Sequence, residues 1–490
     1  MSISYIDLHC HPSLKPFGKS FKYVPPKQNH LNRGRKNSIW HYSPPNFLER
    51  QVNKILTLTK FTQTDLTALA KSNCEIVVIA LYPFEKHFLK DKMLGFKFIA
   101  DGLVNLATGL SQKRIDYLRN HKSYFEDLKD EYQYYLQLNN FAQKIDNVTY
   151  TYRLVSSFKE IENNIDKSTD TRKIISIVPT IEGAHSFETG LLLRENMADE
   201  ATVLNNIDIV KQQWKHTPFF VTLAHHFYNE ICGHARSISI GAIKKNQNRG
   251  LNSDITVLGL KVIDKLLDDN AGNRILIDVK HMSSAARKTY YKLLETTYKN
   301  EKIPIIVSHG AVNGRRSIIE WNKTDSTRSK HFNDIDINFY DSEIQRIAKS
   351  NGIFGLQLDE RRIASKKAIR RSRVYFPNKK RRLKRKTLLV WRQIEHCAEL
   401  INAIKLPNDD KINCWNTVAI GSDFDGIVNP IKGLWTSENI KDLRKYLILH
   451  AENYMKNNAV NLLPHNRIPA KDIVNKVLSL NVMEFLNRNF

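Results

Sequence analysis

Cysteine is scarce and scattered in this chain. Only five cysteines occur among 490 residues, and no two of them have the CxxC spacing of zinc ribbons and redox dithiols. An odd number of dispersed cysteines argues against a disulfide framework and is typical of reduced thiols. We therefore predict a protein of a reducing compartment, with the cytoplasm as the expected location.

Long hydrophobic runs are also missing. No apolar stretch approaches the roughly 18 residues that a membrane-spanning helix needs. The first residues, MSISYIDLHCH, have the pattern of a strand rather than the basic and apolar regions of a signal peptide. Since 41% of the residues are hydrophobic and 10% are aromatic, the chain can still bury a large core.

Acidic residues are few relative to basic ones, which gives a formal net charge of +25. Residues 361–386 contain 14 lysines and arginines and no acid, so this one segment accounts for more than half of the net charge. Such a segment is either a solvated or disordered loop or a surface that attracts an anionic partner. Nucleic acid, an acidic membrane surface and the carboxylate end of a substrate all fit the second interpretation.

Short apolar runs rich in β-branched residues recur along the chain and alternate with segments of helical periodicity. Continuous apolar strands that alternate with helices are typical of a parallel sheet buried on both faces. Eight such strands predict an α/β protein with a single (β/α)8 barrel of the TIM type over residues 1–490. The predicted strands are 4–11, 76–83, 174–180, 219–225, 275–280, 304–308, 352–358 and 417–422.

Two insertions interrupt this series. Residues 84–172, after the second strand, are far longer than an ordinary βα loop, and we predict a helical insertion that flanks the entrance to the site. Within it, aromatic residues at three- and four-residue spacings over 117–145 predict a helix whose aromatic stripe serves packing. The second insertion, residues 361–389, is basic and follows strand seven, which places it on the face where barrel active sites lie.

Imidazole and carboxylate side chains end most of the predicted strands. In a barrel all strand C-termini open on one face, so these side chains are expected to meet there. A single histidine in such a position is more often structural, but the recurrence on one rim favours a metal site. Nitrogen and oxygen ligands without thiolates suit a catalytic zinc or another divalent transition metal. The residues are His9, His11, Glu182, His225, His226, His281, His309, Asp423 and Asp425.

The motifs DLHCH, IEG, LAHH, DVKHMS, IVSHG and GSDFDG, in this order, resemble the membrane (renal) dipeptidase family of the amidohydrolase superfamily. The resemblance implies a metal-dependent hydrolase that cleaves the amide bond of dipeptides or similar small acyl-amino acids. It further implies two divalent metal ions, with zinc favoured. His9 and His11 would bind one ion, His281 and His309 the other, and Glu182 would bridge them.

The resemblance also implies two catalytic residues. Asp423 would orient the attacking water or take its proton, and His225 would polarise the scissile carbonyl; a helix N-cap is the structural alternative for Asp423. The chain departs from the family at two positions: His11 replaces an aspartate, and Ile337 replaces the arginine that grips the substrate's carboxylate. Candidates to replace that arginine are Arg328, Arg361 and Arg362.

Two other functions stay open at the level of sequence. A barrel phosphoesterase similar to the TatD-type nucleases also begins with HxH, and a charge of +25 would suit DNA. The second alternative is a barrel without catalytic activity that binds anionic partners. The GSDFDG motif and the placement of His281 and His309 on consecutive strands favour a dipeptidase with a small peptide substrate. The sequence leaves a homodimer open.

Overall fold

Eight parallel strands form the centre of the molecule. The computed structural model describes residues 5–20, 33–57, 59–89, 97–120, 123–192, 195–238, 246–317, 330–373, 378–405 and 411–490. Within these ranges the strands are β1 (Tyr5–Cys10), β2 (Cys74–Leu81), β3 (Ala142–Ile145), β4 (Val148–Leu154), β5 (Arg172–Glu182), β6 (Phe220–Thr222), β7 (Leu276–Asp278), β8 (Ile306–Gly310), β9 (Ile353–Leu356) and β10 (Val418–Ile420). Their order in the sheet is β1-β2-β5-β6-β7-β8-β9-β10.

Helices surround this sheet. In chain order they are α1 (Leu14–Ser20), α2 (Phe47–Leu56), α3 (Leu66–Lys71), α4 (Lys97–Thr108), α5 (Gln112–Asn120), α6 (Tyr124–Leu138), α7 (Phe158–Asp166), α8 (Glu200–Gln212), α9 (Val257–Leu267), α10 (Ser284–Glu295), α11 (Asp341–Lys349), α12 (Glu360–Ile363), α13 (Lys366–Ser372), α14 (Lys379–Asn402), α15 (Ile440–Asn458), α16 (Ala470–Asn475) and α17 (Asn481–Asn489). Among the described residues, no helix is both long and apolar enough to cross a bilayer.

The sheet nearly closes into a barrel where β10 meets β1. The backbone N–H of Asp423 donates to the carbonyl of His9 at 2.9 Å, and that of His11 donates to the carbonyl of Phe424 at 3.0 Å. A parallel bridge between Cys10 and Phe424 completes the contact. The predicted (β/α)8 architecture is thus confirmed, and each of the eight predicted strands has a counterpart in the barrel.

The first insertion is not wholly helical. The helix predicted over 117–145 is wrong in its bounds, because α5 and α6 are separate helices and residues 142–154 form the antiparallel pair β3–β4. Strand β4 also pairs in parallel with the first half of β5 and so extends the central sheet. The aromatic stripe of α6 does serve packing: Tyr132 stacks on Trp214 with ring centroids 4.1 Å apart, and Tyr134 and Tyr135 are fully buried.

The basic segment 361–386 is ordered in helices rather than in a solvated or disordered loop, over the part that is described. It comprises most of α12, all of α13 and the first two turns of α14. Lys386 is buried and pairs with Glu360, so it is not available to a partner. Six basic residues at the start of α14 are exposed: Lys379, Lys380, Arg381, Arg382, Lys384 and Arg385.

Candidate metal centre

The carboxylate of Glu182, the last residue of β5, lies at the centre of a ring of imidazoles. Its Oε2 is 3.1 Å from His11 Nε2, and its Oε1 lies 3.5 to 3.6 Å from the Nε2 atoms of four further histidines. These four are His9, His225, His281 and His309. All six side chains are buried, so a shared centre for ligands exists on the predicted rim of the barrel.

Several of these side chains depend on unusual backbone at the strand ends. His281 follows β7 by three residues with a φ of +65°, and Asp423 follows β10 by three residues with a φ of +57°. In this left-handed region the side chain turns inward, toward the mouth of the barrel, instead of following strand alternation. Gly426 leaves room for the site, because a Cβ there would lie 2.0 Å from Asp423 Oδ1 and 3.0 Å from His11 Cδ2.

The arrangement of the imidazole nitrogens suits metal binding better than hydrogen bonding between the side chains of the ring. Both ring nitrogens of His9 and His11 are buried without a hydrogen-bond partner in the described part of the chain. Two ligand atoms held about 2.0–2.1 Å from one tetrahedral ion lie about 3.3 Å apart. The Nε2 atoms of His281 and His309 are 3.3 Å apart, which matches this spacing.

The described ring contains three groups of ligand atoms, and the atoms within each group lie within 4.8 Å of one another. One group contains Glu182 and His309, another contains His11 and Asp423, and His9 belongs to both. The third contains His281 with His225 and His226. Histidine and carboxylate donors without thiolate suit zinc and related divalent ions. The residues present therefore fit a metal centre.

Charge within the metal-free ring is strongly coupled. Burial alone would raise the pKa of Glu182, but His225, His9 and His11 hold it well below its usual range. Burial would lower the pKa of His11, yet Glu182 and Asp423 raise it to about 10. Burial lowers the pKa of His281 and of His309 well below the usual value. The ring therefore offers neutral imidazoles on one side and a protonated imidazole beside carboxylates on the other.

His225 has a second carboxylate behind it. Its Nδ1 lies 2.6 Å from Oε2 of Glu85, whose other oxygen accepts from the backbone N–H of Phe227 at 3.0 Å. Burial would lower the pKa of His225, but Glu85 and Glu182 raise it to about 9. Conversely, burial would raise the pKa of Glu85, and His225 lowers it to about 2. The imidazolium form of His225 is thus favoured, with its Nε2 directed toward the ring.

The two aspartates of the GSDFDG motif have different surroundings. Asp423 lies 3.5 Å from His11 Nε2 and 3.8 Å from His309 Nε2, so it reaches both halves of the ring. Gln357 donates to Asp423 Oδ2 at 2.5 Å and fixes its orientation. Asp425 instead accepts from Lys15 Nζ at 2.6 Å and from backbone N–H groups at residues 63 and 64. Asp425 therefore anchors a loop and lies outside the ring of ligands.

A cavity opens above the ring, and the structure places the predicted substrate-binding arginines differently within it. Arg361 and Arg362 both line the cavity. Arg361 is already paired with Asp359, with Nη2 2.6 Å from Oδ2. Arg328 lies outside the described residues. Ile337 is fully buried and is not among the described residues that line the cavity.

Three residues of this region were missed by sequence reasoning. Glu85 and Gln357 follow or end predicted strands, so the criterion that found the ligands could have found them too. Lys280 stands next to His281 and lines the cavity with it. Side chains alternate along a strand, so a ligand at His281 would predict that Lys280 points away from the site. The positive φ of His281 interrupts this alternation.

The barrel and its rim of imidazoles and carboxylates define a metal-dependent hydrolase of the (β/α)8 class. The model of the membrane dipeptidase family (Peptidase family M19) matches residues 41–468. The chain therefore belongs to this family of metal-dependent dipeptidases. The match includes Glu182, His281, His309 and Asp423. It begins after β1, so the assignment of His9 and His11 rests on the barrel geometry.

Distant likenesses to solved structures accompany this match. Dipeptidase AC, a metallopeptidase, is 12% identical with a TM-score of 0.49, covering 100% of this chain and 99% of its own. The probable dipeptidase PvdM from Pseudomonas aeruginosa is 14% identical with a TM-score of 0.47, covering 87% and 88%. A metallopeptidase from Rhodobacter sphaeroides, solved with a phosphinate mimic of L-Ala-D-Ala, is 12% identical with a TM-score of 0.48, covering 100% of both. No curated protein matches the chain.

Proposed function

We propose that this dipeptidase holds two divalent metal ions, zinc by preference, and cleaves the amide bond of dipeptides or similar small acyl-amino acids. The observation that carries the proposal is the buried Glu182 carboxylate, which lies within 3.6 Å of five imidazole nitrogens. A carboxylate between two pairs of imidazoles offsets the repulsion between two cations. His9 and His11 would hold one ion and His281 and His309 the other.

Metal ions at these ligands would supply an activated water and polarise the scissile carbonyl. His11 takes part although it replaces an aspartate, because an imidazole is also a ligand for zinc. The replacement removes one negative charge from the site. The proposed centre is therefore more positive than one with an aspartate in this position, which favours anionic groups on the substrate.

Asp423 is proposed as the proton carrier. Its Oδ1 and Oδ2 face the two halves of the ring, and Gln357 holds one oxygen in place. Asp423 would accept a proton from the attacking water as the new C–O bond forms. It would return that proton to the amine nitrogen as the C–N bond breaks, which leaves a carboxylic acid and an amine; the acid then gives its proton to the amine, so that a carboxylate and an ammonium are released.

His225 is proposed to stabilise the negative charge that develops on the carbonyl oxygen. Its Nε2 side faces the ring, while Glu85 on the Nδ1 side keeps the imidazole protonated and oriented. A charged donor that is already in place costs no reorganisation when the oxyanion forms. Tyr82 and Phe88 line the same cavity and would help to exclude water.

Location and partners belong to the same proposal. Five buried thiols without a disulfide support a reducing compartment, and we propose the cytoplasm. The exposed basic residues at the start of α14 support an anionic partner for segment 361–386, in addition to the peptide substrate. A homodimer remains a prediction.

The roles of Glu182 and Asp423 can be separated by two variants. Glu182→Ala should lose bound metal and activity together, because it removes the charge between the two cations. Asp423→Asn should retain metal while turnover falls by roughly 100-fold or more, since its task is proton transfer. Metal content and hydrolysis of a dipeptide set would be measured on each purified variant. Glu162→Ala, on the exposed surface of α7, is the matched control.

Full metal and full activity in Glu182→Ala would show that the bridging role is wrong. Loss of metal in Asp423→Asn would show that Asp423 is a ligand and not only a proton carrier.

A further inference from the structure

Helix α2 presents its apolar side to solvent. Phe47, Leu48 and Ile55 are 72%, 71% and 80% exposed, and Val52 is 38% exposed. At 3.6 residues per turn these four positions lie on one side of the helix, whereas Asn53, on the opposite side, is fully buried. A surface helix normally has the reverse orientation, with its apolar side against the core. An exposed apolar side of this kind is typical of a surface that binds a partner or a membrane.

The end of α2 lies close to the basic segment 361–386. Lys54 is exposed and precedes Ile55 on this helix. Its positive charge acts on Lys432, and so do the charges of Arg373 and Lys386 from the basic segment. Lys432 therefore lies between the end of α2 and the basic segment.

The loop that carries Lys432 also contacts the start of α14. A Cβ added at Gly433 would lie 3.0 Å from Cδ1 of Leu383. Leu383 is buried, and the exposed lysines and arginines at the start of α14 lie on either side of it in sequence. Because segment 361–386 contains no acid, its charge is not balanced within the segment. The apolar side of α2 and a dense basic group thus lie on neighbouring parts of one surface.

The charge of this surface decides between its possible occupants. Two copies of the chain joined through α2 would bring two basic segments toward each other, in a protein whose net charge is +25. The phosphates of nucleic acid would attract the lysines and arginines, but they offer nothing to bury phenylalanine, leucine and isoleucine. A bilayer that contains anionic lipids suits both features. Its headgroups attract the basic residues, and the apolar side of the helix enters the boundary between headgroups and acyl chains.

We infer that α2 and the exposed basic residues at the start of α14 form a surface that docks the protein on anionic lipid membranes. The inference rests on the proposed function in one respect, since it names the anionic partner of segment 361–386, and it is independent of the amide hydrolysis. Helix α2 has ten residues, so it would lie in the plane of the membrane surface and would not cross the bilayer.

Vesicle flotation with the metal-loaded protein tests the apolar part of this surface. Wild type should float with vesicles of phosphatidylcholine and phosphatidylserine in equal parts, and much less with vesicles of phosphatidylcholine alone. The double variant Leu48→Gln, Ile55→Gln should bind roughly 10-fold more weakly or worse, because two aliphatic side chains no longer enter the membrane. Glutamine keeps the helix propensity of these positions. Val460→Gln, at a position that is 77% exposed elsewhere on the surface, is the matched control.

The basic part is tested by a second double variant. Lys380→Gln with Arg381→Gln should weaken binding to the same vesicles by roughly 10- to 30-fold, and added salt should weaken the binding of wild type in the same direction. Lys159→Gln, on the exposed surface of α7, is the matched control. Both double variants should hydrolyse dipeptides in solution at the wild-type rate, since none of the four residues lines the cavity.

The possible outcomes separate this surface from its alternatives and from the proposed hydrolysis. Wild type that does not float with anionic vesicles, or unchanged flotation of Leu48→Gln, Ile55→Gln, would overturn the inference. Binding of a DNA duplex without binding of vesicles would make nucleic acid the partner. A wild-type dimer that this variant converts to a monomer, again without vesicle binding, would make α2 a contact between copies. Vesicle binding without cleavage of any dipeptide would support the docking surface and refute the hydrolysis.

Discussion

At the scale of single residues, Glu85 shows how a group distant in sequence sets the charge of His225, the side chain proposed to stabilise the oxyanion. It follows β2, and His225 lies between it and Glu182. Its contact with His225 at 2.6 Å is between two buried groups of opposite charge. Burial would lower the pKa of His225, and Glu85 contributes most to raising it to about 9. The ion pair therefore affects both the protonation of His225 and the stability of the folded protein.

Glu85→Gln should lower the stability of the metal-free protein in a pH-dependent way. The Glu85 pKa falls from 4.5 to about 2, so its contribution is present above pH 4.5 and is lost as the pH falls through 2. The His225 pKa rises from 6.5 to about 9, so its contribution is present below pH 6.5 and is lost as the pH rises through 9. The loss, roughly 3 kcal/mol, should be largest between pH 4.5 and 6.5 and shrink toward pH 9.

Thermal unfolding of the metal-free wild type and variant across this pH range measures the effect, with the exposed Glu162→Gln as control. A difference in Tm that stays constant from pH 5 to 9 would mean that the pair does not titrate as described.

At the scale of elements, two buried aspartates join the strands just below the ligands. Asp7 of β1 accepts from the backbone N–H and the hydroxyl of Ser422, across the closing seam of the barrel, at 2.8 and 2.5 Å. Asp278 of β7 accepts from Thr222 next to it on one side and from Ser308 on the other, at 2.7 and 2.6 Å. Each aspartate thus positions a different part of the ring.

Asp7→Ala and Asp278→Ala should therefore remove different metal ions. The first leaves Ser422 without its partner and loosens the seam that positions His9 and His11. The second affects the strands that carry His281 and His309. Each should cost roughly 3 kcal/mol of stability and about one of the two metal ions. Metal content and Tm report both effects, with Asp170→Ala, on the exposed surface, as control. Wild-type metal content and Tm in Asp7→Ala would refute this role of the seam.

The elements also show what sequence could and could not predict. The barrel strands were predictable because each is a short apolar run and most are followed by ligand-type residues, as in IVSHG of β8. The hairpin β3–β4 was not, because AQKI has three residues at least partly exposed, and the alternating strand VTYTYRL lies inside a long segment that was predicted to be a helical insertion. The start of α14 was missed because its lysines and arginines mask the buried stripe through Leu383. Lys280 was missed because the positive φ of the next residue, His281, which interrupts strand alternation, cannot be predicted from composition.

At the scale of the whole molecule, family membership and charge act together. The family match supports a metal-dependent dipeptidase rather than a nuclease. Part of the net charge of +25 lies in the exposed group of six basic residues at the start of α14. The residues that line the cavity include both arginines, Arg361 and Arg362, and acids, Asp359 and Asp423. Only the residues that line the cavity lie near the ring of ligands.

The most direct test of the account is the rate of dipeptide hydrolysis as zinc is titrated into chelator-stripped protein. The account predicts no turnover without metal, and a rate that rises with added zinc and saturates at about two equivalents per chain. Hydrolysis by the stripped protein, or no hydrolysis of any dipeptide at any level of zinc, would contradict it.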